Sequence, residues 1–210
     1  MKKRFDPALY LVTDPELSLG RPEDEVVRRA VSAGVTMVQY RDKDASTRRM
    51  VDKTRLLMNI CGGKGVPLIV NDRLDVALAG GADGVHLGQD DMELVDARRI
   101  AGDDLIIGVS VTTAREAVLA FQNGADYIGA NGVFPTATKT DLGEPLGLKG
   151  VAELAAATDL PVVAIGGITA DNSRKIIEAG GAGVAVVSYI VSAEDIEGRC
   201  GTLLSAMGKV

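Results

Sequence analysis

Ala179-Gly180-Gly181-Ala182-Gly183-Val184 ends a helix and opens an apolar strand within six residues. The chain makes the same passage at Ser32-Ala33-Gly34-Val35, at Gly80-Gly81-Ala82-Asp83-Gly84-Val85 and at Asn123-Gly124-Ala125-Asp126-Tyr127. Glycine at such a point supplies the left-handed cap that lets a helix turn sharply into a strand. Between these passages lie Leu68-Ile69-Val70, Leu105-Ile106-Ile107 and Val162-Val163-Ala164-Ile165, each an apolar run that opens a helix-like segment. An internal period of this kind decides the fold before any single motif does.

Working outward, strands are expected near 8–14, 35–41, 67–72, 84–88, 105–111, 127–133, 161–166 and 183–189, with amphipathic stretches between them. Near-continuous aliphatic strands imply a parallel sheet, and right-handed crossovers of eight similar βα units close it into a single-domain (β/α)8 TIM barrel over residues 1–210. An open doubly wound sheet shares the alternation. Neither a linker nor a low-complexity segment divides the chain.

Composition agrees with an α/β domain. Of 210 residues, 46% are hydrophobic and 25% charged, which excludes disorder and fibre, while aromatics are only 3%, so small and branched aliphatics must fill the interior. A net charge of −6 provides no general field for nucleic acid or an anionic membrane, and any anionic ligand must be held locally. No apolar run reaches the roughly 18 residues of a membrane span, and Met1-Lys2-Lys3-Arg4-Phe5-Asp6-Pro7 lacks the apolar core of a signal peptide, so a cytoplasmic location is expected. Cys61 and Cys200 are far apart with no metal-ligand spacing and read as ordinary thiols. A homo-oligomer is compatible with all of this.

The active site of such a barrel lies at the C-terminal ends of its strands. Along the second strand Gln39, Arg41 and Lys43 share one face and Val38 and Tyr40 the other, so the polar set is expected at the barrel mouth as an anion site. Thr13-Asp14-Pro15 reads as a turn with a capping Asp and receives no function. The third strand ends in Asn71-Asp72 and the fourth in Gln89-Asp90-Asp91; carboxylates Asp72 and Asp91 on neighbouring strand ends suit Mg2+, although each Asp is equally placed to cap the helix after it. His86, short of its strand end, reads as a hydrogen-bonded interior imidazole. Ser110 precedes the N-cap Thr112 or Thr113 and is free to meet a ligand. The long connector from Pro135 to Gly147 carries Lys139, which a closing flap would bring onto a phosphate; a mobile solvated loop has the same composition. Gly166-Gly167 after the seventh strand and Ser188 after the eighth stand where this fold cradles a monophosphate on backbone N–H groups. A charged and a neutral anion receptor in one mouth imply a diphosphate and a monophosphate bound together. Neither a Ser-His-Asp set nor a buried carboxylate dyad is visible, so covalent catalysis and general-base proton abstraction are poorly supported.

Leu9-Tyr10-Leu11-Val12-Thr13-Asp14, Gln39-Tyr40-Arg41-Asp42-Lys43, Val70-Asn71-Asp72, Gly84-Val85-His86-Leu87-Gly88-Gln89-Asp90-Asp91, Gly108-Val109-Ser110, Val133-Phe134-Pro135-Thr136-Ala137-Thr138-Lys139, Ala164-Ile165-Gly166-Gly167-Ile168 and Val186-Val187-Ser188 together resemble the successive signatures of the thiamine-phosphate synthase family. The resemblance implies a Mg2+-dependent transferase that joins a pyrimidine diphosphate to a thiazole phosphate by a dissociative route. By position it implies Gln39, Arg41, Lys43, Asn71, Ser110 and Lys139 as pyrimidine diphosphate contacts, with Ser110, Lys139 and Arg41 closest to the chemistry. It implies Asp72 and Asp91 as magnesium ligands, and Thr136, Thr138, Gly167, Val187 and Ser188 as thiazole phosphate contacts. The family commonly has Gly-x-Gly-Pro where this chain has Gly129-Ala130-Asn131-Gly132, so a different fold is expected at the base of the long loop. A related thiazole tautomerase shares the pocket without a diphosphate to ionise, and a phosphate-ligand sensor on the same barrel is the non-catalytic rival.

Overall fold

The computed structural model describes residues 4–136 and 144–209. Eight parallel strands, β1 (Leu9–Val12), β2 (Met37–Tyr40), β3 (Leu68–Asn71), β4 (Gly84–Leu87), β5 (Ile106–Val111), β6 (Tyr127–Asn131), β7 (Val162–Ile165) and β8 (Gly183–Val186), pair in sequence order and close on themselves. The closure is direct: Tyr10 pairs with Met37 on one side and with Ala185 on the other. This is the (β/α)8 barrel, and the open-sheet alternative falls. Helices α1 (Glu23–Ser32), α2 (Thr47–Gly62), α3 (Leu74–Gly80), α4 (Leu94–Ala101), α5 (Ala114–Gln122), α6 (Gly147–Ala157) and α7 (Ala170–Glu178) each follow one strand. After β8 come the short α8 (Ser188–Val191), which the sequence did not announce, and α9 (Ile196–Ala206). The strands run shorter than expected because their ends leave the hydrogen-bonded ladder and become the turns that build the mouth.

Sequence punctuation explains the joints. Gly34, Gly81, Gly124 and Gly180 all adopt positive φ, between 74° and 98°, as the helix-to-strand reading requires. Thr113 caps α5 in a reciprocal box with Glu116.

Alternation along the strands divides the core in two. Leu9, Leu11, Val38, Tyr40, Val85 and Ile107 point outward and pack under the helices. Tyr10, Val12, Met37, Ile69, Ile106, Tyr127, Val163 and Ala185 point inward and fill the barrel. The same inward rows continue toward the C-terminal ends as Gln39, Asn71, His86, Ser110 and Asn131, so the interior passes from aliphatic to polar. That gradient faces the mouth. Both cysteines are buried. Among the described residues no helix is long and apolar enough to cross a membrane.

Candidate active site

A cavity of about 690 Å3 opens at the C-terminal ends of the strands, within the range usual for small-molecule sites. Gln39, Arg41, Lys43, Asn71, Asp72, Asp91, Ser110, Thr136, Gly167, Val187 and Ser188 all line it. Thr138 and Lys139 lie outside the described residues.

The charged end is built on the exit of β2. Gln39 is buried and donates its amide N–H to the Tyr10 hydroxyl at 2.9 Å. Buried Thr13, at the end of β1, pins the next turn: its Oγ1 accepts the Arg41 backbone N–H at 3.0 Å, and its own N–H donates to the Gln39 carbonyl at 2.9 Å. Asp14 corrects the sequence reading. One of its oxygens does cap the turn, accepting from the N–H groups of Glu16 and Leu17, but the other pairs with Arg41 Nη1 at 2.9 Å. The pair is largely shielded from solvent, with side chains 22% and 12% exposed, so the fork of Arg41 is held at one nitrogen and presented by the rest.

Asp72 sits in the left-handed region at φ 62°, with its N–H on the His86 carbonyl at 2.8 Å. A non-glycine residue there costs on the order of 1–3 kcal/mol and persists only where neighbours enforce it. Its carboxyl stands beside that of Asp91, near enough for the two to act on one another. Burial, first, and the Asp91 carboxyl beside it, second, push Asp72 up to about 6, while Lys43 and Arg41 pull the other way. The capping alternative fails for both: α3 has no side-chain cap, and Asp91 accepts the Gly88 N–H at 2.7 Å, in the turn before α4. Two neighbouring carboxyl groups at a water-facing rim are the residues that could hold a hard cation. Among the described residues no larger cluster of His, Cys, Asp and Glu converges, so oxygens from solvent or ligand must complete any coordination.

At the opposite end the β7–α7 turn comes against the loop after β6. A side chain at Gly167, φ 62°, would reach 2.5 Å from the Pro135 carbonyl oxygen and 2.9 Å from the Phe134 Cβ, so only glycine fits. Asn172 fastens this turn, donating to the Gly167 carbonyl at 2.9 Å and accepting from the Thr169 N–H at 2.9 Å. No motif in the sequence named Asn172, although its position three residues after Thr169 is that of a capping partner. Where the chain departs from the family pattern, Asn131 lines the cavity and Gly132 accepts the Leu146 N–H at 2.9 Å, with Gly147 N–H on the Val133 carbonyl at 2.9 Å. These bonds clamp the two ends of the long connector together.

The floor also carries residues that sequence reasoning left out. Tyr10 and Tyr127 line it, and His86 is hydrogen-bonded as expected, between the Tyr127 hydroxyl and Ser110 Oγ, yet it also faces the cavity. In a chain so poor in aromatics, two tyrosines at inward positions were the available signal.

A family model described as thiamine monophosphate synthase matches residues 9–190. The chain belongs to the thiamine monophosphate synthase family. It is 48% identical to the thiamine-phosphate synthase of Chloroflexus aurantiacus over 191 residues, covering 91% of this chain and 88% of that one. It is likewise 48% identical to the thiamine-phosphate synthase of Methanosarcina barkeri over 189 residues, covering 90% and 84%. The solved thiamine phosphate pyrophosphorylase of Pyrococcus furiosus superposes with a TM-score of 0.87 at 40% identity, over 97% of this chain and 96% of that one. As a member of the thiamine monophosphate synthase family the chain is an enzyme, a transferase of alkyl groups in thiamine biosynthesis.

Proposed function

We propose that the cavity binds two phosphorylated substrates together, 4-amino-2-methyl-5-hydroxymethylpyrimidine diphosphate and 4-methyl-5-(2-hydroxyethyl)thiazole phosphate, and joins them as thiamine phosphate with release of diphosphate. One observation carries the reading: a charged rim and a neutral, glycine-built rim face each other across a single cavity. Gln39, Arg41, Lys43, Asn71 and Lys139 would hold the pyrimidine diphosphate, with Ser110 on the pyrimidine or its leaving group. Thr136, Thr138, Gly167, Val187 and Ser188 would hold the thiazole phosphate.

In the dissociative step the bond from the pyrimidine methylene to oxygen breaks, its electron pair leaves with diphosphate, and the 4-amino group supports the resulting cation. The thiazole nitrogen lone pair then forms the new bond. Charge builds on the departing diphosphate, which is where Arg41, Lys43 and Lys139 converge in this reading. Asp72 and Asp91 fit a magnesium ion, which when bound would add Lewis-acid stabilisation to the same oxygens. Removing one such contact should slow turnover on the order of 10²-fold.

The test is direct. Purified protein given both substrates and Mg2+ should form thiamine phosphate, and a chelator or Asp72→Asn should largely abolish it; turnover indifferent to both overturns the metal assignment. Lys139→Ala should slow turnover far more than it weakens thiazole phosphate binding. Isomerisation of a thiazole phosphate without coupling would favour the tautomerase, and binding without any product the sensor. The acidic and basic rim speaks against both, since neither has a diphosphate to ionise.

A further inference from the structure

Five polar side chains from five strands form one unbroken hydrogen-bond chain across the cavity floor. Gln39 Nε2 donates to the Tyr10 hydroxyl, which lies 2.9 Å from the Tyr127 hydroxyl; that group lies 2.9 Å from His86 Nδ1, and His86 Nε2 lies 2.9 Å from Ser110 Oγ. The two ends, Gln39 and Ser110, line the cavity, while the two tyrosines are 2% and 0% exposed. The rings have no room to rearrange. Tyr127 lies over Gly108, where any side chain would overlap its ring, and it meets Tyr10 edge-on with centroids 6.0 Å apart.

Each hydroxyl has a single proton to give, and burial keeps both phenols protonated. Because Gln39 donates into the Tyr10 oxygen, the Tyr10 proton has the Tyr127 oxygen as its acceptor. Were Tyr127 to donate instead, a buried O–H would be left unpaired, at the cost of its desolvation. Tyr127 therefore directs its own proton to His86 Nδ1, which must be bare, and the neutral imidazole carries its hydrogen on Nε2 and donates it to Ser110 Oγ. The Ser110 proton is then not needed within the chain. We infer that Tyr10, Tyr127 and His86 are positioning residues that polarise the cavity floor in one direction, so that Ser110 meets the pyrimidine substrate as a donor and requires a lone-pair acceptor above it. The identity of that substrate rests on the proposed function; the polarity of the chain does not. A donor fixed before the ligand arrives needs no reorganisation when it binds.

The chain contains one histidine, so 15N-histidine labelling of the whole protein gives a single ring to read. In the ligand-free enzyme, well above the ordinary histidine pKa of about 6.5, two-bond 1H–15N correlations should find Nε2 protonated and Nδ1 bare. The reverse tautomer, which would put the Gln39 carbonyl rather than its amide on Tyr10, overturns the inference, as does an average of the two. Tyr127→Phe should turn the single tautomer into such an average. It should also raise KM for the pyrimidine diphosphate on the order of 10-fold, the worth of one good hydrogen bond, and leave KM for the thiazole phosphate unchanged. A folded Tyr127→Phe enzyme with the parent tautomer and parent KM overturns the positioning role, and the wild-type tautomer decides the polarity without any variant. A wrong substrate assignment would spoil the kinetics and leave the tautomer intact.

Discussion

Asp14 Oδ2 lies 2.9 Å from Arg41 Nη1, so a residue in a turn after β1 holds the guanidinium that the β2 exit presents to the cavity. Thr13 ties the same two segments together through backbone atoms, and the two contacts leave Arg41 little freedom. Asp14→Asn keeps the oxygen that caps the turn and removes the charge. It is expected to lower kcat on the order of 10-fold without raising KM for the diphosphate substrate, because orientation is lost while net positive charge is gained. Steady-state kinetics that show an unchanged kcat would end this role for Asp14.

The Asp72 carboxyl, raised to about 6, gives the metal-free protein a pH signature. A carboxyl raised in the folded state favours folding below its ordinary value, and that contribution is lost as pH climbs through about 6, where the folded protein must accept the charge. Added Mg2+ should therefore lift the melting temperature above pH 6 and much less below it. Asp72→Asn should flatten both the pH dependence and the metal response in differential scanning fluorimetry. A metal-induced shift that is equal on both sides of that pH would contradict the assignment.

Gly167→Ala and Gly20→Ala separate backbone strain from close approach. Both positions have positive φ, 62° and 77°, yet a side chain at Gly20 meets nothing within 4 Å while one at Gly167 runs into Pro135 and Phe134. Gly20→Ala should cost about 1 kcal/mol, and Gly167→Ala about 1–3 kcal/mol more. Only the Gly167 variant should lose thiazole phosphate affinity, read by calorimetric titration. Equal denaturation midpoints for the two would show that the two loops do not meet as described.

Glu23, at the start of α1, is buried with Oε1 lacking a hydrogen-bond partner among the described residues. Burial raises its carboxyl, partly offset by the Thr13 hydroxyl, so its contribution to stability is greatest at acid pH and declines as pH rises past the ordinary carboxylate range. Glu23→Gln should raise the melting temperature at neutral pH and lose that advantage at acid pH, where the wild-type side chain is itself neutral. A variant less stable than wild type at neutral pH would mean that the charge is wanted there.

Most of the architecture was legible in the chain because it is written in local periodicity. Left-handed glycines at Gly34, Gly81, Gly124 and Gly180 end helices before strands, aliphatic runs make buried strands, and the count of such units closes the barrel. Gln39 was equally readable, since alternation along β2 fixes its face before any neighbour is known, while Arg41 and Lys43 lie beyond the strand's last residue and reach the same cavity from the turn that follows. Tertiary structure alone decided which distant groups meet. The meeting of Asp72 with Asp91 depends on the exits of β3 and β4 lying side by side. The second use of Asp14 depends on how far the β2 exit lies from the turn after β1. The chain from Gln39 to Ser110 needs five strands in register and an empty place at Gly108 for a tyrosine ring. Side-chain periodicity is set by the backbone of one strand, whereas hydrogen bonds, ion pairs and shared protons act over a few ångströms between strands, and that distance exists only after the barrel has closed.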